Sequence, residues 1–322
     1  MNIRQRIPGR AAALLIAAAV SLPTIGAAAP HAESQRPAPA AETLEAAGAE
    51  TTATTSRVLS GGRRPPPTGY RPVIVSDFIH STSPWPGWWN RCFWWEYPQG
   101  VGCNIASNDE MQWYRARNVS SEDGYTRLTA RRETYRNHQG RTYSYTSGMI
   151  QTGPSSPDRR RNSRAEFTYG YVEARIRVPY GRGFWPMFWL LPSDEQSRPE
   201  IDIMEMLGQD PYTPLFHYHY RDRSGTRRSL GHHFRSSTNH SSGWHTYAVD
   251  WRPGQITWIV DGRERWQVNG PDVSAEPMYV LLNLAVGGSY PGPPSSSTRF
   301  PAYMDIDWVK VWQRDGWYRR HL

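Results

Sequence analysis

Six residues, EIDIME at 200–205, place the tightest demand on how this chain can fold. Glu200, Asp202 and Glu205 sit in a run otherwise made of Ile201, Ile203 and Met204. The apolar residues favour a pleated, half-buried surface, so the segment reads as a strand. Side chains alternate faces along a strand, so Glu200 and Asp202 share one face. Strict alternation would turn Glu205 to the other face. One extra residue, a β-bulge around Ile203 and Met204, returns it to the first. The fold must then offer a sheet with acids on one side and an apolar layer on the other. The competing reading is an edge strand whose acids are simply solvated.

Three acids on one wall are useful chemically. Like charges so close cannot all ionise easily, and burial raises carboxyl pKa values further. Carboxyls pushed to different pKa values are what glycoside cleavage needs: one ionised to attack the sugar carbon, one protonated for the leaving oxygen.

The chain has 322 residues, enough for one large domain or two small ones, and 13% are aromatic, including 15 Trp and 18 Tyr. Most of these rings would fill a core. Trp-rich grooves also suit sugars, whose apolar faces stack on rings while their hydroxyls seek polar groups. The net charge is +8, with Lys310 the only lysine. Arginine clusters at 159–164 and 221–228 read either as solvated loops, the commoner fate of a charge run, or as contacts for an anionic substrate or an acidic cell surface. No nucleic-acid motif accompanies them, so no nucleic-acid partner is expected.

Arg4, Arg6 and Arg10 precede an apolar run at 11–20, and Ala27, Ala28 and Ala29 follow. This pattern predicts a secretory signal peptide over 1–29 and an extracellular protein. No other long apolar run exists, so no membrane span is expected. Residues 30–68, rich in Ala, Pro, Ser and Thr, read as a disordered linker. Short strand-like runs then recur over 70–314, before a short basic tail at 315–322. They include 125–130, 170–178, 188–191, 246–250, 256–260, 278–284 and 306–312, and Asp261-Gly262 marks a hairpin. Many short strands and no helical period predict an antiparallel β-sandwich. In an oxidising compartment Cys92 and Cys103 could close a loop as a disulfide.

PEIDIMEMLG (199–208) resembles the signature of glycoside hydrolase family 16. NDEMQWYRARNV (108–119), YGYVEARIRVPYGRGFWPMFWLLP (169–192), WHTYAVDW (244–251), LLNLAVGGSYPG (281–292) and MDIDWVKVWQ (304–313) resemble further family segments in the same order. The resemblance implies an all-β jelly roll of two curved antiparallel sheets with an open concave cleft for a polysaccharide. It implies Glu200 as nucleophile, Glu205 as acid/base and Asp202 as the residue orienting the nucleophile. The implied reaction retains configuration, which needs the working carboxyls ~5–5.5 Å apart. Trp185, Asn283 and His219 match substrate-binding or supporting positions, with His219 expected to hold Glu205 or touch the substrate. Trp189 is expected in the core. Asp307 matches a structural calcium ligand; catalysis itself implies no cofactor. A monomer is expected.

The ExDxxE spacing points to a β-1,3- or β-1,3(4)-glucan. Two departures from laminarin-cleaving relatives stand out: Ser-Arg-Pro at 197–199 where many carry Trp, and Met149 where many carry Arg. Together with the arginine clusters they keep an anionic galactan or a bacterial exopolysaccharide open. Transglycosylation and a non-catalytic sugar-binding module are the other readings.

Overall fold

The computed structural model describes residues 68–78, 89–93, 103–122, 124–154, 165–192 and 198–314. The expected signal peptide, the linker up to residue 67, the 159–164 arginine run and the 315–322 tail lie outside the described residues.

The strands are β1 (Tyr70–Asp77), β2 (Gln112–Tyr114), β3 (Val119–Glu122), β4 (Tyr125–Arg136), β5 (Thr142–Ser147), β6 (Met149–Gln151), β7 (Gly170–Arg177) and β8 (Phe184–Pro192). They continue as β9 (Glu200–Glu205), β10 (Leu215–Arg221), β11 (Arg227–His233), β12 (His245–Arg252), β13 (Gln255–Val260), β14 (Arg263–Asn269), β15 (Met278–Val286) and β16 (Ala302–Arg314). Among the described residues the only helices are short 3-10 turns at Ala106–Asn108 and Ala116–Asn118. One sheet runs β14-β13-β12-β7-β16-β4-β5-β2, with β1 on β16 and β3 on β4. The second runs β11-β10-β9-β8-β15-β6. This is the two-layer, nearly all-antiparallel architecture expected; β2 and β5 form a parallel pair.

Leu128, Val172, Ala174 and Ile176 from the larger sheet and Phe188, Leu190, Ile201 and Phe216 from the smaller belong to one buried cluster. The smaller sheet carries a second apolar layer of Trp185, Met187, Trp189, Leu191, Tyr279, Leu281 and Ala285, joined by Phe93, Tyr114 and Met149. With both faces buried, β8 and β15 read as continuous apolar runs rather than alternating ones. Trp189 is buried, as expected, but it packs in this second layer beside Trp185, not in the layer holding Phe188 and Leu190.

Two local features position the site. Asp261 and Gly262 both have positive φ, 50° and 75°, and join β13 to β14 as the Asp-Gly pair predicts. In β9 the register with β8 jumps: Phe188 pairs with Met204, but Trp189 pairs with Asp202. Ile203 is therefore the extra residue, and Ile203 and Met204 both enter the larger apolar cluster. The Asp202 carbonyl at this bulge accepts the indole N–H of Trp258, on β13 of the larger sheet, at 2.8 Å.

Candidate active site

The bulge brings the acids together. Glu205 pairs with Met187, and Asp202 with Trp189, two positions of β8 whose side chains share one face. Glu200 lies two residues before Asp202 on that same face. All three are buried, at 7%, 1% and 4% exposure for Glu200, Asp202 and Glu205. Isolated carboxylates at such depth would be unstable, so each needs a proton or a partner.

Glu205 is gripped at both oxygens. Trp185 Nε1 donates to Oε1 at 3.0 Å, and His217 Nδ1 hydrogen-bonds Oε2. Burial alone would depress His217, yet the Glu205 carboxylate raises it to about 9. His217 therefore carries a proton at neutral pH and donates it to Glu205. Gly231 on β11 faces this imidazole: a Cβ there would come within 2.6 Å of His217 Cδ2. The missing side chain leaves room for the ring that holds Glu205.

Asp202 sits in the middle. Its carboxyl is held well above the usual range, first by burial and then by the Glu205 charge. Its Oδ1 has no hydrogen-bond partner among the described residues. His219 Nε2 lies 3.4 Å from its Oδ2, while Ser229 Oγ is 2.6 Å from His219 Nδ1. Burial lowers His219, so it is the neutral member of the stacked His217–His219 pair, whose rings are 5.6 Å apart. With Ser229 donating to Nδ1, the remaining ring proton points at Asp202. Burial, then the Asp202 charge, pushes Glu200 up to about 8, and the Arg198 guanidinium pulls against that rise.

The expected role of His219 at Glu205 is corrected by this geometry. His219 serves Asp202, and His217, two residues earlier on the same face, holds Glu205. Trp185 is bonded to Glu205 and stands edge-on to Tyr290 at 5.5 Å. Tyr290 is a further site residue that sequence reasoning passed over. Burial and the nearby Glu205 raise its phenol to about 12. The signal was present in LLNLAVGGSYPG, where an aromatic follows two glycines. Asn283 is fully buried: its Oδ1 accepts from Trp189 Nε1 at 2.8 Å, and its Nδ2 donates to Tyr114 at 3.0 Å. It braces the layer beside the acids on the same face of the sheet, opposite Met187 and Met149. Cys92 and Cys103 form a disulfide, and neighbouring Phe93 packs edge-on against Tyr114 and Trp189.

Metal binding finds little room here. Asp202, His217 and His219 bring ligand atoms within 4.8 Å of one another. However, His217 Nδ1 is committed to Glu205 and His219 Nδ1 to Ser229. The Asp307 carboxylate is bonded to the Arg175 guanidinium. One oxygen of Asp307 therefore already faces a fixed cation.

Comparison with known proteins agrees with this geometry. Residues 108–310 match the family model "Glycosyl hydrolases family 16". The chain is 35% identical over 240 residues to Endo-1,3-1,4-beta-glycanase EglC of Rhizobium meliloti, covering 71% of this chain and 48% of that protein. It is 32% identical to a Beta-glucanase of Rhodothermus marinus over 245 residues, covering 68% of this chain and 79% of that protein. The endo-1,3-beta-glucanase (laminarinase) catalytic domain of Thermotoga petrophila superposes with a TM-score of 0.64 at 28% identity, covering 76% of this chain and 98% of that one. The chain spans about half the length of the first curated relatives it matches. With the matched segment covering well over half of its residues, the chain belongs to glycosyl hydrolases family 16.

Proposed function

We propose that this chain is a secreted endo-β-glucanase that cleaves a β-1,3- or β-1,3(4)-glucan with retention of configuration. The observation carrying the reading is the pair of unlike environments on β9. Glu205 is bonded to a protonated imidazole and an indole, while Glu200 stands beside an acid that takes up a proton.

The chemistry follows from that asymmetry. Transfer of the Glu200 proton to Asp202 frees Glu200 to attack the anomeric carbon without leaving a second negative charge beside it. The His217 proton lies one hydrogen bond from Glu205, so its transfer makes Glu205 the donor to the departing sugar oxygen. Glu205 then takes a proton from water, which displaces the sugar from Glu200. The first step takes one proton from the four groups and the second restores it, so the full cycle closes on the starting proton count. Transfer to another sugar hydroxyl shares the same intermediate. The relatives' names support the glucan, and the 1–29 pattern supports export.

Mass spectrometry after incubation with a 2-fluoro glucoside of a β-1,3-linked disaccharide tests the assignment. The expected adduct is on Glu200. A label on Asp202 or Glu205, or an inverted product by NMR, sinks the mechanism.

A further inference from the structure

The NDEMQW run at 108–113 contains a carboxyl that the acid wall does not use. Glu110 is 2% exposed, and among the described residues no arginine, lysine or histidine lies within ion-pair distance of it. Neutral donors surround it instead. Gln112 Nε2 donates to its Oε2 at 2.6 Å, the Ile105 N–H to the same oxygen at 3.4 Å, and Asn108 Nδ2 to its Oε1 at 3.4 Å. Burial pushes the carboxyl up to about 7 against the pull of these groups and of Tyr114. A buried carboxyl with no cation beside it costs free energy that a neutral residue would spare.

The donors lead to the acid site. Asn108 closes a 3-10 turn around the carboxyl, its N–H donating to the Ile105 carbonyl at 3.1 Å. The outside of that turn carries the loop that follows β15. Ser289 N–H donates to the Asn108 carbonyl at 2.9 Å, and Ser289 Oγ to Asp109 Oδ2 at 2.6 Å. Gly288 approaches so closely that a Cβ there would come within 2.7 Å of the Asn108 carbonyl oxygen. Gln112, fixed by its bond to Glu110, offers its Oε1 to the Val286 N–H at 2.7 Å, where the loop leaves β15. The loop is thus tied to Glu110 at its root and again one residue before Tyr290. Tyr290 stands edge-on to Trp185 and within the field of Glu205. Attack by Glu200 in line with the departing oxygen puts the departing sugar on the Glu205 side, where Tyr290 lies.

We propose that Glu110 is a positioning residue: through Asn108 and Gln112 it holds the 287–292 loop so that Tyr290 walls the place of the departing sugar beside Glu205. This rests on the glycanase reading above and deepens it.

In the full chain, kcat/KM is measured on laminaritetraose, which loses a sugar, and on 2,4-dinitrophenyl β-laminaribioside, whose leaving group needs neither a proton nor a sugar site. Glu110→Gln keeps the side chain's shape but turns an amide N–H₂ toward one of the donors. It should lower kcat/KM on the tetraose roughly 10- to 100-fold and leave the aryl glycoside nearly unchanged. Gly288→Ala, which pushes the loop off Asn108, should give the same signature. In a Tyr290→Ala background Glu110→Gln should cost nothing further, since residues that act through one another do not add. An equal fall on both substrates, or full additivity of the two substitutions, overturns the proposal. Amide exchange provides a readout independent of turnover: Glu110→Gln should speed exchange at Ser289 and Val286 and leave β9 unaffected. If the wild type cleaves neither substrate, the glycanase reading fails, and unchanged exchange at Ser289 and Val286 would by itself remove Glu110 from the loop.

Discussion

At the scale of single residues, His217 does more at this site than the acids' spacing suggests. Its proton is held by Glu205, and its folded value is about 9. As pH rises through that value the imidazole loses the proton that Glu205 is to pass on, so kcat/KM should fall above about pH 9. In His217→Ala the alkaline limb should move to lower pH and kcat should drop, by at most the ~10²- to 10⁴-fold typical of acid–base assistance. Gly231→Ala crowds the same ring from β11 and should shift the limb in the same direction by less. A His217→Ala profile that overlays the wild type would remove His217 from the proton path. In HYHY (217–220) both His217 and His219 sit on one face of β10 by alternation, so sequence spacing alone does not separate them, and only His219 is expected at the site from the sequence. What separates them is register. The bulge in β9 also breaks its pairing with β10, so His217 stands opposite Asp202 and within reach of Glu205. Turn and alternation rules state that a bulge is needed, but not which neighbour it aims at which acid.

At the scale of elements, the strand periods of β7, β12, β13, β15 and β16 were legible because their apolar runs are bounded by Gly, Pro, Asn and Asp. The acid strand was legible because only a kinked strand puts its carboxylates on one side. β11 was not. RRSLGHH has no apolar period, every residue in it is exposed, and it pairs with β10 as the sheet's last strand. It exists because β10 offers it a ladder, which is tertiary context rather than local propensity. Such an edge is held by few buried contacts and should open locally long before the sheet unfolds. Amide exchange should therefore find β11 among the least protected strands and β9 near the limit set by global unfolding. Equal protection of the two would mean that β11 is an integral part of the sheet. The contrast bears on function, because Ser229 reaches His219 from the softer strand, whereas Glu200, Asp202 and Glu205 stand on a strand hemmed in by β8 and β10.

At the scale of the whole molecule, the acid wall sets a pH-dependent limit on stability. Folding moves Glu200 from an ordinary 4.5 to about 8, chiefly by burial and then by the Asp202 charge. Between those values the folded chain binds a proton that the unfolded chain has released, so stability falls as pH rises through the window. Below 4.5 both states are protonated and the penalty vanishes. Glu200→Gln keeps the shape of the side chain but cannot ionise, so it escapes the loss. Its advantage over the wild type should be near zero at pH 4 and grow to about 3–5 kcal/mol by pH 8, before neighbouring groups adjust. For a domain of this size that is a rise in Tm of about 6–12 °C or more. Calorimetry of both chains at pH 4 and pH 8 measures it directly. An inactive variant that melts higher only on the alkaline side would show that the wall is kept for its chemistry and against the fold's own preference. A Tm difference of the same size at both pH values would mean instead that Glu200 is already ionised in the free protein, with Asp202 and His217 holding the site's protons.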